Sequence, residues 1–198
     1  MSTVKSFRFE PKTLVLPREG TVLMIVDMQN DFVNEDGKMY VGDSIREIIP
    51  NVQKTLAKAR ERNVPVAYTQ DWHRKDDPEF KVWPAHCVEG TIGAEIIRSL
   101  KPASGDSVVR KKSYDPWFET ELESLLKRLK IKTVIVTGTV SNICVLHTVA
   151  GATLRGYESI IPMDCIAALN DVDQEFALRQ IVFLYEGTLT TSEMLSFQ

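Results

Sequence analysis

Six short runs of apolar and β-branched residues punctuate the chain, and their lack of polar alternation constrains the fold more than any other feature. They are TVLMIVD from Thr21, VPVAYTQ from Val64, SVVR from Ser107, KTVIVTG from Lys132, ESIIPMD from Glu158 and GTLTTS from Gly187. A strand with one wet face alternates polar and apolar residues, whereas an unbroken run belongs to a strand covered on both faces, as in a parallel sheet. Helical patterns lie between the runs: SIREIIPNVQKTLAKARER from Ser44, WFETELESLLKRLK from Trp117, the segment after Cys144, and VDQEFALRQIVFLYE from Val172. This alternation predicts a three-layer α/β/α, Rossmann-like fold with a six-stranded, mainly parallel sheet. Pro50, inside the first long helical pattern, predicts a kink or a split there.

With 198 residues, 43% of them apolar, the chain is long enough to bury a substantial core, and residues 1–198 read as a single domain. Lys and Arg are scattered among Asp and Glu for a net charge of -3, so there is no basic stripe for nucleic acid. Charges interrupt MSTVKSFRFEPKTLVLPREG every few residues, which is unlike a signal peptide or a membrane span and sets the expectation of a cytoplasmic chain. Three widely spaced cysteines do not make a disulfide framework. Cys87 and Cys165 read as small core residues.

Cys144 has a different address. It stands in GTVSNICVLHTVAG, where a strand, a tight turn and a helix follow one another, and the first helical turn offers unpaired N–H groups and a positive dipole end that favour thiolate. In an open parallel sheet, ligands bind beyond the carboxyl ends of the strands. Those ends bring up Asp27, then Asp71 and His73, then Lys111, then Cys144, a thiol, a lysine, two carboxylates and an imidazole at one edge. Asp71 and His73 are two residues apart, so on extended chain both face the same way and can grip one cation. His86 in WPAHC supplies a third ligand, and carboxylate with imidazole suits Zn2+, Mn2+ or Fe2+.

The segments VDMQNDF, QDWH, WPAHCVEGTIGAE, KKSYDPWFET and GTVSNICVLHT resemble the isochorismatase-like cysteine hydrolases, and within them the nicotinamidases (pyrazinamidases). The resemblance implies a catalytic triad of Asp27, Lys111 and Cys144, with Lys111 identified by its KxxY spacing to Tyr114. It implies a cis peptide between Thr139 and Val140 and an oxyanion hole formed by the N–H groups of Val140 and Cys144. Phe32, Trp83 and Tyr114 would bind an aromatic amide, and Asp71, His73 and His86 would hold the metal, with Glu79 or water as the fourth ligand. Family members are often dimers or tetramers, so a homodimer or homotetramer is expected, with a small-molecule amide as the other partner.

These features set the expectation of a metal-assisted nicotinamidase. Two alternatives remain on sequence alone: another amidase of the superfamily, of the N-carbamoylsarcosine type, and a non-catalytic small-ligand-binding module on the same scaffold.

Overall fold

A computed structural model describes residues 9–198. In chain order the elements are β1 (Leu14–Leu16), β2 (Thr21–Val26), α1 (Asn30–Val33), α2 (Ser44–Glu61), β3 (Val66–Asp71), β4 (Ser107–Lys111), α3 (Leu122–Arg128), β5 (Thr133–Thr139), α4 (Leu146–Leu154), β6 (Glu158–Pro162), β7 (Ile166–Ala167), α5 (Asp171–Phe183), β8 (Thr188–Thr190) and β9 (Leu195–Phe197). The main sheet runs β4-β3-β2-β5-β6-β8 with every pairing parallel. The expected six strands are present, and the two-residue β7, paired with the end of β5, makes a seventh. The three-residue strands β1 and β9 form a small parallel sheet of their own.

Strand β2 shows why the runs do not alternate. Leu23 and Ile25 pack with Ile45, Val52 and Leu56 of α2 on one side of the sheet. Val22, Met24 and Val26 pack with Leu122, Val149 and Ile181 of α3, α4 and α5 on the other. Both faces are dry, so both parities of the strand are apolar. Helix α2 buries Ile45, Ile48, Val52, Leu56 and Ala59 along one stripe.

Two expectations about helices needed correction. Of the kink or split expected at Pro50, the split is absent: α2 runs through it for 18 residues. Pro50 and Arg46, the residue whose carbonyl it deprives of a partner, are both exposed, so solvent can satisfy that carbonyl. The pattern from Trp117 becomes helical only at Leu122, because Glu119 adopts a left-handed conformation at φ 53° that a helix cannot contain. Trp117 instead buries its ring, donating from Nε1 to the Thr148 carbonyl at 3.0 Å and lying over Gly151 of α4, where a Cβ would overlap the indole.

The chain leaves β2 toward β3 and β4, then returns past β2 to build β5, β6 and β8. That reversal leaves a crevice beyond the carboxyl ends of β2 and β5.

Candidate active site

Four strand ends deliver the site. Asp27 follows β2, Asp71 ends β3, Lys111 ends β4, and Cys144 lies in the wide helical turn Ser141–Val145 between β5 and α4. Gly138 pairs with Val26 at the end of β5, and at φ 109° it lets the backbones approach where a Cβ would run into the Val26 carbonyl. The Thr139–Val140 peptide is cis, as the resemblance implied.

Lys111 is the hub, fully buried although its neighbours Arg110 and Lys112 are exposed. Its Nζ lies 2.7 Å from Asp27 Oδ2, 3.7 Å from Cys144 Sγ and 3.0 Å from the Ser113 carbonyl, which accepts a hydrogen bond from it. It is also ion-paired with Asp71 Oδ1. Burial alone would lower the pKa of this ammonium, but the charges of Asp27 and Asp71 outweigh it and hold the pKa well above the usual lysine value.

The carboxylates differ. Burial raises the pKa of Asp27, although Lys111 pulls it down and Thr69 Oγ1 donates to its Oδ1 at 2.7 Å. Asp71 is buried as deeply, but Lys111 and His73 together overcome desolvation and keep it below the usual carboxylate range. The backbone of Asp71 is held by the buried Gln29, which accepts from its N–H and donates to its carbonyl, each at 2.8 Å.

The surroundings of Cys144 oppose the pull of the helix start toward thiolate. Burial pushes its pKa well above the usual thiol value; Lys111 opposes that effect, and the charges of Asp27 and Asp71 add to it. The helix start does not win against two nearby carboxylates in a dry site. That direction gives a base the task of taking the thiol proton, the part expected of Asp27. Asp27, Asp71 and Cys144 offer atoms within 4.8 Å of one another, and the cation among them is the Lys111 ammonium.

Asp71 turns its other oxygen toward two imidazoles. His73 Nε2 is 3.9 Å and His86 Nε2 3.8 Å from Asp71 Oδ2. Ligands of a tetrahedral zinc ion at ~2.0–2.1 Å lie roughly 3.4 Å apart, so these three atoms are close to a ligand set. The ring orientations suit that role. His86 Nδ1 pairs with the Pro84 carbonyl at 2.7 Å, and His73 Nδ1 faces Asp77 Oδ2 at 3.2 Å, which leaves both Nε2 atoms turned inward. His73 is fully buried and neither of its ring nitrogens has a hydrogen-bond partner, and a metal ion would supply one to Nε2. The residues therefore fit a zinc-class ion. Glu79 borders the same cavity but does not belong to the converging group.

A cavity of about 50 Å³ opens on Cys144 and is bordered by Phe32, Trp83, Tyr114, Asp71, His86 and Val140. Every residue expected from the sequence to bind substrate, and both residues expected to form the oxyanion hole, borders it. Phe32 packs on His86 at 5.5 Å between ring centres, and Tyr114 packs on His147 at 4.6 Å. Sequence reasoning assigned no part to Met39, Ile143 and Leu169, which complete the wall, or to Gln29, Thr69, Asp77 and Phe80. Only Asp77 carried a usable signal, standing four residues after His73 in an acidic run.

Residues 21–194 match the isochorismatase domain family. The chain is 32% identical over 180 residues to the uncharacterized isochorismatase family protein YaaI of Bacillus subtilis, covering 91% of this chain and 98% of that protein. Among solved structures it resembles an N-carbamoylsarcosine amidase from Thermoplasma acidophilum at 31% identity and TM-score 0.81, over 87% of this chain and 96% of that one. It also resembles the nicotinamidase PncA of Bacillus subtilis at 27% identity and TM-score 0.79, over 86% and 99%. A pyrazinamidase of Pyrococcus horikoshii in complex with zinc matches at 26% identity and TM-score 0.77, over 90% and 98%.

Proposed function

The chain belongs to the isochorismatase family of hydrolases, and on that footing we propose that it is a metal-assisted cysteine amidohydrolase that converts nicotinamide to nicotinate and ammonia and also accepts pyrazinamide. The observation that carries this reading is the position of Asp71, ion-paired with Lys111 on one side and facing His73 and His86 on the other. The similarity to a zinc-bound pyrazinamidase supports the same reading.

The chemistry begins with Asp27 taking the proton of the Cys144 thiol, a transfer favoured by the raised pKa of this carboxyl. The Lys111 ammonium, 3.7 Å from the sulfur, stabilises the thiolate as it forms. The sulfur attacks the amide carbon, and the N–H groups of Val140 and Cys144 receive the negative charge on oxygen. Collapse breaks the C–N bond, Asp27 returns its proton to the departing nitrogen, and ammonia leaves a thioester on Cys144. Asp27 then takes a proton from water as the water attacks. The C–S bond breaks, Asp27 returns that proton to the leaving sulfur, and the thiol is restored as the acid departs.

Phe32, Trp83 and Tyr114 hold the ring, with offset contacts between aromatic groups worth about 0.5–1.5 kcal/mol beyond burial. A zinc-class ion on Asp71, His73 and His86 would supply a Lewis acid for a ring nitrogen, with Mn2+ and Fe2+ as the other candidates. The reaction fits pyridine-nucleotide salvage in the cytoplasm.

The 31% identity to an N-carbamoylsarcosine amidase favours a second reading, an amidohydrolase acting on N-carbamoyl compounds. Ammonia release by the purified protein from nicotinamide, pyrazinamide and N-carbamoylsarcosine separates the two. Activity on the last compound alone selects the second reading, and no ammonia from any of the three counts against both.

A further inference from the structure

Asp31 takes no part in the reaction described above, yet it is buried and uses both carboxyl oxygens to hold backbone. Its Oδ2 accepts from the Cys87 N–H at 2.7 Å, 56 residues away in the sequence, and its Oδ1 accepts from the Lys38 N–H at 3.2 Å. Both contacts lead to the site. Cys87 follows His86, and the Cys87 carbonyl accepts from the His73 N–H at 3.0 Å. The backbone of Cys87 therefore joins the two imidazole residues on one side and Asp31 on the other. Lys38 precedes Met39, which borders the cavity and donates from its N–H to the Asp31 carbonyl at 3.0 Å.

The turn at Cys87 needs such a hold. Cys87 sits at φ 44°, a left-handed conformation that a non-glycine residue keeps when its surroundings fix it. Gly93 shows how closely they fit, because a Cβ there would overlap the Asp31 carboxyl group. Two residues before Asp31, Gln29 clamps the backbone N–H and carbonyl of Asp71. One short run of chain thus fixes the carboxylate through Gln29 and the imidazoles through Asp31. We propose that Asp31 is a positioning residue of the metal site: by holding Cys87 it sets His86 and His73 in place relative to Asp71. The inference rests on the proposed assignment of an ion to those three residues. Asn cannot do the same work, since it has one acceptor atom for two N–H donors and turns an NH2 group toward one of them.

Zn2+ affinity of the full chain, measured by competition with a chromophoric chelator, tests the proposal. Residues that orient metal ligands without touching the ion are worth about 10–100-fold in affinity, and Asp31→Asn should weaken Zn2+ binding by that factor. Gly93→Ala keeps the carboxyl group but displaces it from Cys87, so it should weaken binding in the same direction, and it decides the question if Asp31→Asn does not fold. With Co2+ as the probe, the visible absorption bands report the arrangement of the ligands and should change in both variants. Asp164→Asn is the control for a purely structural loss. Asp164 also accepts from a backbone N–H, that of Ser192 at 2.7 Å, so its variant should lower the denaturant midpoint and leave Zn2+ affinity unchanged. Wild-type affinity in folded Asp31→Asn or in Gly93→Ala overturns the proposal and leaves the metal assignment standing. An Asp164→Asn protein weakened as much as Asp31→Asn also overturns it. A wild-type chain that binds no Zn2+ overturns the metal assignment and this inference together, so the wild-type arm separates the two failures.

Discussion

Asp71 and Lys111 form a buried ion pair that joins two groups of residues of different chemistry. Through Lys111 the pair reaches Asp27 and Cys144, and through Asp71 it reaches His73 and His86. Two carboxylates share one ammonium, so the pocket retains negative charge that favours a cation beside the imidazoles.

Cys144→Ala should reduce ammonia release by at least roughly 1000-fold while leaving the folded state intact, because the turn accepts Ala and no other group can bond to the carbonyl carbon. Asp27→Asn should cost about 10²–10⁴-fold, the usual worth of a positioned acid–base group. Steady-state kinetics with matched thermal melts check both. An active Asp27→Asn protein would assign the proton to another acceptor.

The pH dependence of Cys144 alkylation gives a signed test. The Asp27 carboxylate raises the thiol pKa, so Asp27→Asn removes a negative neighbour while Lys111 remains. The midpoint of the alkylation rate against pH should therefore move downward in the variant even as turnover is lost. Cys87 and Cys165, whose thiols are pushed up by burial, should react much more slowly in both proteins. An upward shift would contradict the placement of Asp27 beside the sulfur.

Lys111→Met leaves Asp27 and Asp71 buried without their shared cation. Removing one partner from a buried ion pair costs about 3–5 kcal/mol, so the variant should unfold at markedly lower denaturant concentration. Lys112→Met, at an exposed neighbouring position, should change stability by less than about 0.5 kcal/mol. Equal midpoints for the two variants would place Lys111 outside the network.

The layered α/β fold was legible because strands buried on both faces leave unbroken apolar runs, as β2 and β5 do. The strand ends also named the residues that converge, since a parallel sheet aligns its carboxyl ends. The three-residue β1 and β9 were not legible, because a short strand has no period to read. The start of α3 was misplaced because nothing in the local pattern reveals the left-handed Glu119. The ion pair of Asp71 with Lys111 joins residues 40 apart and depends on which way each carboxylate oxygen turns, information that no spacing carries. The upward pull on the Cys144 thiol was not legible for a related reason: the dipole of the helix start is local, whereas the burial that opposes it is made by the whole fold.

Protein prepared without chelators should contain one transition-metal ion per chain by elemental analysis. His73→Ala should lose it while keeping the fold, because the buried His73 Nε2 has no other partner. Full retention of the ion in His73→Ala, or no ion in the wild type, would return the Asp71, His73 and His86 group to a structural role.

The comparison of nicotinamide with benzamide bears most directly on the proposed reaction, since the two differ at a single ring atom. On the proposed reading Phe32 and Trp83 would stack on either ring alike, but only nicotinamide offers a nitrogen to a metal held by Asp71, His73 and His86. Sites built around a polar contact reject analogues that lack it by as much as about 10⁴-fold, and water at the vacant metal position would reduce that factor. Ammonia release by the metal-loaded protein should therefore be faster from nicotinamide by well over about tenfold, an advantage that chelation removes. Equal turnover of the two amides, or turnover of N-carbamoylsarcosine with none of nicotinamide, would contradict the proposed activity.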